Sequence, residues 1–293
     1  MMNQKIILQS IIAHSKDILQ DFENNYCNQP EKNLIYQYKS WPKIKKNFLK
    51  GGGSELTSNK KGELPKFQAI HSSSALCVNN FALIKENADK FKFNAESNFD
   101  AESASFEKML NTGISTPNLD FYVENPNAIF AFESKFLETT TPKHPNKTDQ
   151  KGFGNLKKYV NRQNELKVSN NFPLDKFISN VLAHYINAND LMFLDVSQLI
   201  KHMLGIANIE SSKKKNLVYI YWLPTNYKSI ELYSKHEQEL IEFKNHIEPF
   251  NDYVNFQSLS YLQFWEDKNV RETIGLNHIQ ALEKRYKLAI NIN

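Results

Sequence analysis

The sequence predicts an α/β fold, a mixed β-sheet flanked by helices and preceded by an N-terminal helical arm. Two observations predict it. The spacing of apolar residues runs, in order, as helix, three strands, helices, strand, helix, strand, helix, the order of a sheet covered by helices. Hydrophobic residues make up 41% and charged residues 23%, ordinary globular usage that excludes a disordered or collagen-like chain.

Residues 1–25 read as helical, because Ile7, Ile11, Ile12, Leu19 and Phe22 suit one face. Their apolar run is broken by Gln9, Ser10 and His14, with no small-x-small cleavage pattern, so a cytoplasmic protein without a signal peptide is expected. Residues 26–70 read as irregular, with Lys43, Lys45, Lys46 and Lys50 ahead of Gly51-Gly52-Gly53. A helix is expected from Ser72 to about Phe91, capped by serine and carrying Ala75, Leu76, Val78, Leu83 and Ile84. Three strands follow at about 104–110, 118–124 and 129–137, and then a polar stretch over 138–172. Helices are expected over about 174–188 and 195–206, and a buried strand from Leu217 to Leu223, stopped by Pro224. Ser234-Lys235-His236-Glu237 has the spacing of a capping box and is expected to open the next helix. A short strand at 254–259 and a helix over about 275–290 complete the chain. No linker stands out, so the division is an arm over 1–50 and one domain over 51–293.

The chain has 293 residues, long enough to bury a sizeable core. No run approaches the ~18 apolar residues of a membrane span. Cys27 and Cys77 are too few for a disulfide framework or a four-thiolate zinc site. Cys77 falls on a predicted helix among apolar neighbours, which argues against a cysteine hydrolase. Gly51 to Gly53 lack the Gly-Lys-Ser/Thr ending and the preceding strand of a phosphate-binding loop. The net charge is +4, and only Arg162, Arg271 and Arg285 are arginines, so any phosphate contacts fall mainly to lysine point charges. Candidate segments are Lys43 to Lys50, Lys60-Lys61, Lys143 to Lys151, Lys157-Lys158 and Lys213 to Lys215.

The segment from Thr116 to Glu138 carries the chemistry. Its turn, Asn125-Pro126-Asn127-Ala128, has proline where φ is preset and asparagine where a left-handed residue is tolerated. A hairpin symmetric about Pro126 and Asn127 sets Asp120 opposite Glu133. One face then carries Leu119, Phe121, Val123, Phe130, Phe132, Ser134 and Phe136, and must be core. The other carries Asp120, Tyr122, Glu124, Ala131, Glu133 and Lys135. Directly opposed carboxylates have Cβ atoms ~5 Å apart and repel. A divalent cation with a preference for oxygen, such as Mg²⁺, would remove that repulsion. The alternative is a solvent-facing sheet with an exposed ion pair of little energetic weight.

Asp120, followed on the next strand by Glu133-Ser134-Lys135, resembles the PD-(D/E)xK restriction-endonuclease-like nuclease superfamily, although Asn118 and Leu119 separate Pro117 from Asp120. Gly53-Ser-Glu-Leu56, His71-Ser-Ser-Ser-Ala-Leu76, Glu133-Ser-Lys135-Phe-Leu-Glu138 and Gln198-Leu-Ile-Lys-His202-Met-Leu-Gly-Ile206 follow in order. Together they resemble an uncharacterised bacterial branch of that superfamily from about Gly51 onward.

The resemblance implies a restriction-endonuclease-like core that hydrolyses phosphodiesters in DNA with Mg²⁺, leaving 5′-phosphate and 3′-hydroxyl ends. It makes Asp120 and Glu133 metal ligands, Lys135 the catalytic lysine, and Glu55 a further carboxylate. Gln198 corresponds to a glutamine that the family often sets on a helix beside the active site. His202 shares its helical face, and taken alone it is expected to be an ordinary surface histidine. Glu107 is a further candidate ligand, and Glu138 marks the end of its strand. The implied partner is DNA. Restriction-type nucleases often act as homodimers, though no dimer surface is legible in the sequence. Two rival readings stand beside this one: a nuclease fold that only binds nucleic acid, and a scaffold with an incidental ion pair.

Overall fold

The computed structural model describes residues 4–19, 22–23, 25–50, 55–58, 62–143, 156–188 and 190–291. The arm opens with α1 (Gln4–Lys16), which buries Ile7 and Ile11. A short ribbon follows, β1 (Phe22–Glu23) with β2 (Tyr26–Cys27). Next comes α2 (Trp41–Lys50), within the stretch expected to be irregular. Its buried positions, Trp41, Ile44 and Phe48, recur at helical spacing, and the lysines between them mask that stripe. The arm is knitted to the rest of the chain: buried Asn33 donates to the carbonyls of Phe67 and Ala69 at 2.8 and 2.7 Å. Gly51 to Ser54, Lys60-Lys61 and residues 144–155 lie outside the described residues.

Helix α3 (Ser73–Glu86) starts where expected, with the Ser72 hydroxyl accepting from the Ala75 amide. The strands β3 (Ser105–Met109), β4 (Asn118–Glu124) and β5 (Ala128–Lys135) match the expected three. Then come α4 (Leu156–Asn161), α5 (Leu174–Phe177), a π turn (Ile178–Leu182), α6 (Ala183–Asn187) and α7 (Val196–Ala207). The last segments are β6 (Lys214–Tyr221), α8 (Glu231–Ile247), β7 (Asn255–Ser260), α9 (Tyr261–Glu266), α10 (Lys268–Ile274) and α11 (Leu276–Tyr286). Helix α8 begins three residues before the predicted capping box, so Ser234 lies inside it. Buried Ile230 stands at its N-cap with no side-chain cap; an apolar anchor overrides the local signal. The true capping box is at Ser260 and Gln263, opening α9.

The main sheet has the order β3-β4-β5-β6-β7. The first three strands run antiparallel, and β6 and β7 lie parallel to β5, so the sheet is mixed as expected. Central β5 is buried at every position. On one face Phe81 of α3 packs on Phe121, Phe132 and Phe264 with ring centroids 4.7, 4.8 and 5.3 Å away. On the other face lie α7 and α8; buried His236 of α8 meets the Tyr219 hydroxyl of β6 at 3.0 Å. Among the described residues no helix is long and apolar enough to cross a membrane.

Candidate active site

The β4–β5 turn closes through the Asn125 amide, which donates to the Ala128 carbonyl at 2.9 Å. Asn125 Oδ1 in turn accepts from the amides of Asn127 and Ala128. The register is symmetric, pairing Glu124 with Ile129, Val123 with Phe130, Tyr122 with Ala131 and Phe121 with Phe132. The ladder ends at Phe121 and Phe132, and Asp120 and Glu133 stand one position beyond that last pair. There the Asp120 side chain accepts from the Ser134 amide at 2.6 Å.

The acidic face is buried on β5, while Asp120 and Glu124 on β4 stay partly exposed. Glu133 is 1% and Lys135 7% exposed, because α7 covers this end of β5. The alternative of an exposed, weakly interacting ion pair is thereby overturned. Lys135 Nζ donates to Glu133 Oε1 and, at 2.8 Å, to Gln198 Oε1. Gln198 stands in the first turn of α7, whose N-cap Asp195 accepts from the Gln198 amide at 3.0 Å. Asp195 also pairs with Lys143 at 3.0 Å. A chain of contacts thus runs Lys143, Asp195, Gln198, Lys135, Glu133.

His202 departs from expectation. It is fully buried, and its Nε2 lies 2.8 Å from Glu133 Oε2. The contact is close but not aligned as a hydrogen bond, so Glu133 Oε2 is left without an aligned donor. No local signal marks it: Ser197, Gln198, Lys201 and His202 share one polar face of α7, which reads as solvent-facing until packing turns it onto the sheet.

Electrostatics separate the two carboxylates. Burial pushes the Glu133 carboxyl up, but the Lys135 ammonium, with His202 beside it, outweighs burial and holds the group down at about 2. Asp120 is shifted well up, first by burial and then by the negative charge of Glu133. Lys135 is held protonated by Glu133 against the opposing effect of burial.

Two further carboxylates stand together beside this pair. Glu107 lies on β3 at the position opposite Asp120, since Phe106 pairs with Phe121 and Lys108 with Leu119. Its backbone is left-handed, with φ 53°. Burial and the Glu55 carboxylate push its carboxyl up to about 7. Glu55 accepts from the Ser74 hydroxyl at 2.7 Å, with Lys66 Nζ 3.6 Å away. Glu55 is close enough to Glu107 to raise its carboxyl, and Glu107 in turn acts on Asp120. Glu55, Lys66, His71, Glu138 and Lys143 line an adjoining cavity of about 410 Å³. Glu138 lies past the end of β5, as expected, and caps it by accepting from the Phe136 amide at 2.8 Å.

A divalent cation fits the donor set. Glu133 Oε2 is a buried carboxylate oxygen without an aligned donor, and the charge of Glu133 disfavours ionised Asp120. Such a pair suits a metal that prefers oxygen ligands. Several lysines considered for phosphate contact are engaged within the chain: Lys45 with Glu31 at 3.0 Å, Lys213 with Glu124 at 2.9 Å, and Lys215 with the Ala207 carbonyl at 3.2 Å.

The mixed five-stranded sheet between helices, with Asp120, Glu133 and Lys135 gathered near the C-terminal end of β5, defines a restriction-endonuclease-like protein. Residues 11–287 match the family described as "Restriction Endonuclease associating with ARP", and the chain belongs to that family. The match takes in most of the arm, which the sequence resemblance left out. No curated protein and no solved structure matches the chain.

Proposed function

We propose that this protein is a Mg²⁺-dependent deoxyribonuclease of restriction or defence type. The observation that carries the reading is the buried contact of Lys135 with both Glu133 and Gln198, within one residue pair of Asp120. Asp120 and Glu133 would hold the metal, which would supply an activated water and polarise a phosphoryl oxygen. Lys135 orients the attacking water and stabilises charge developing on the phosphate. Gln198 aims Lys135, and His202 steadies the Glu133 carboxylate from its other oxygen. Glu55 and Glu107 stand where a second carboxylate pair would extend the acidic surface toward the cavity. In-line attack on the phosphorus breaks the bond to the 3′ oxygen, leaving 5′-phosphate and 3′-hydroxyl ends. DNA is the partner, held through lysines that contact its backbone. A nuclease fold used only for binding has less support, since Asp120, Glu133 and Lys135 are all present.

Incubation of unmethylated plasmid with the protein and Mg²⁺ tests the proposal, beside EDTA and Glu133→Ala controls. Metal-dependent fragments lost in the variant are the expected result. No cleavage of several DNAs and RNAs, with no Mg²⁺-induced thermal shift, would overturn the catalytic reading and leave a binding module.

A further inference from the structure

Helices α6 and α8 meet at three side chains that the proposed nuclease chemistry does not use. His184 Nε2 stands 3.1 Å from Glu242 Oε1, and His246 Nε2 stands 3.7 Å from the same oxygen. One ligand atom from each residue lies within 4.8 Å of the other two. Among the described residues this is the one group of three or more His, Cys, Asp or Glu side chains that converges so closely.

The separations suit a metal. A tetrahedral site with bonds of ~2.0–2.1 Å has ligand–ligand edges of about 3.3 Å, and the two measured separations bracket that value. The two imidazole rings have centroids 3.9 Å apart and planes inclined by 34°. Were both rings protonated, their like charges would repel at this distance, and the single Glu242 carboxylate could neutralise only one. A neutral imidazole offers one ring nitrogen lone pair and a carboxylate offers several, so the three side chains carry the donors a metal needs.

The side chains are also held in place. Glu242 and His246 are four apart on α8 and share a face. The buried ring of Tyr185 packs edge-on against both histidines, with centroids 4.7 and 5.6 Å away. His184 stands two residues past the π turn Ile178–Leu182, which shifts its rotation about the helix axis. Support of this kind fixes ligand orientation before a metal arrives.

We propose that His184, Glu242 and His246 bind a divalent cation of the zinc class, at a site separate from the carboxylate centre. Two imidazole nitrogens and one carboxylate oxygen suit zinc and its transition-metal neighbours, whereas Mg²⁺ prefers an all-oxygen shell. Three protein ligands leave a fourth position for water. The cation clasps α6 to α8. One turn earlier on α8, Glu239 accepts from the Leu194 amide at 2.7 Å, next to the Asp195 cap of α7. The segment that joins α6 to the site-bearing helix is thus tied to α8 at both ends.

The test is calorimetric titration of Zn²⁺ into the tag-free full-length protein, with Co²⁺ absorption as a second reading. The variants are His184→Ala, His246→Ala and Glu242→Gln, all altered at partly or wholly exposed positions, and Glu133→Gln serves as the comparison. Circular dichroism checks that each variant is folded. The expected result is one equivalent of Zn²⁺ bound, with the intense visible bands of tetrahedral Co²⁺. Affinity should fall at least tenfold in each of the three variants and stay unchanged in Glu133→Gln. Absence of stoichiometric binding would overturn the proposal. So would binding that survives all three substitutions, or binding lost only in Glu133→Gln.

Discussion

His202 Nε2 lies 2.8 Å from Glu133 Oε2, with both side chains shut away from solvent. The opposite oxygen of the same carboxylate is taken by Lys135. Glu133 is therefore held from both sides, by a neighbour on its own strand and by a helix sixty-odd residues further along the chain.

Removing the histidine should be felt in the fold before it is felt in chemistry. His202→Ala opens a cavity beneath α7 and strips a buried carboxylate of a neighbour. Together these amount to about 2–4 kcal/mol of lost stability. Urea denaturation of the variant checks this. An unchanged midpoint would mean that the contact carries no weight.

The Glu133–Lys135 pair should show strong coupling. Lys135→Met alone leaves an uncompensated buried charge and is expected to destabilise by about 3–5 kcal/mol. The double variant Glu133→Gln with Lys135→Met removes both charges and should be more stable than Lys135→Met alone. A double-mutant cycle measures the difference. Additive losses would contradict the coupling.

The buried His236 makes stability pH-dependent. Burial holds its imidazole down at about 3, below the ordinary value of 6.5. Between those values the unfolded chain binds the extra proton, so stability rises with pH there. This contribution is complete above pH 6.5 and is lost as the pH falls toward 3. Its slope is about 1.4 kcal/mol per pH unit. Comparing the slope of unfolding free energy between the protein and His236→Gln checks it, and equal slopes would refute it.

Helix α7 presses on the segment after β3 at Gly205. A Cβ built there would come within 2.6 Å of Leu110 Cβ, which is not the free end of a flexible side chain. Alanine is the better helix former by about 1 kcal/mol. Overpacking of about 1–3 kcal/mol outweighs that gain. Gly205→Ala should therefore lower the melting temperature, and a rise would show that α7 can move off Leu110 freely.

The parts of this protein that the sequence determined by itself are those governed by short range. The Asn125–Ala128 turn and strict alternation on either side of it set the hairpin register, and with it the nearness of Asp120 to Glu133. The serine cap fixed the start of α3. Tertiary structure decided what periodicity cannot express. Trp41, Ile44 and Phe48 make a helix in a lysine-rich stretch because a core waits beneath them. Ile230, rather than the Ser234 box, starts α8 because burying an apolar side chain outweighs a local cap. Burial of the acidic face depends on β5 being a central strand with α7 across it. Spacing along α7 puts Gln198 and His202 on one face, but only packing brings that face onto Lys135 and Glu133. Contacts between residues so distant in sequence depend on how whole faces of the sheet and helices are covered, and local pattern carries no record of that.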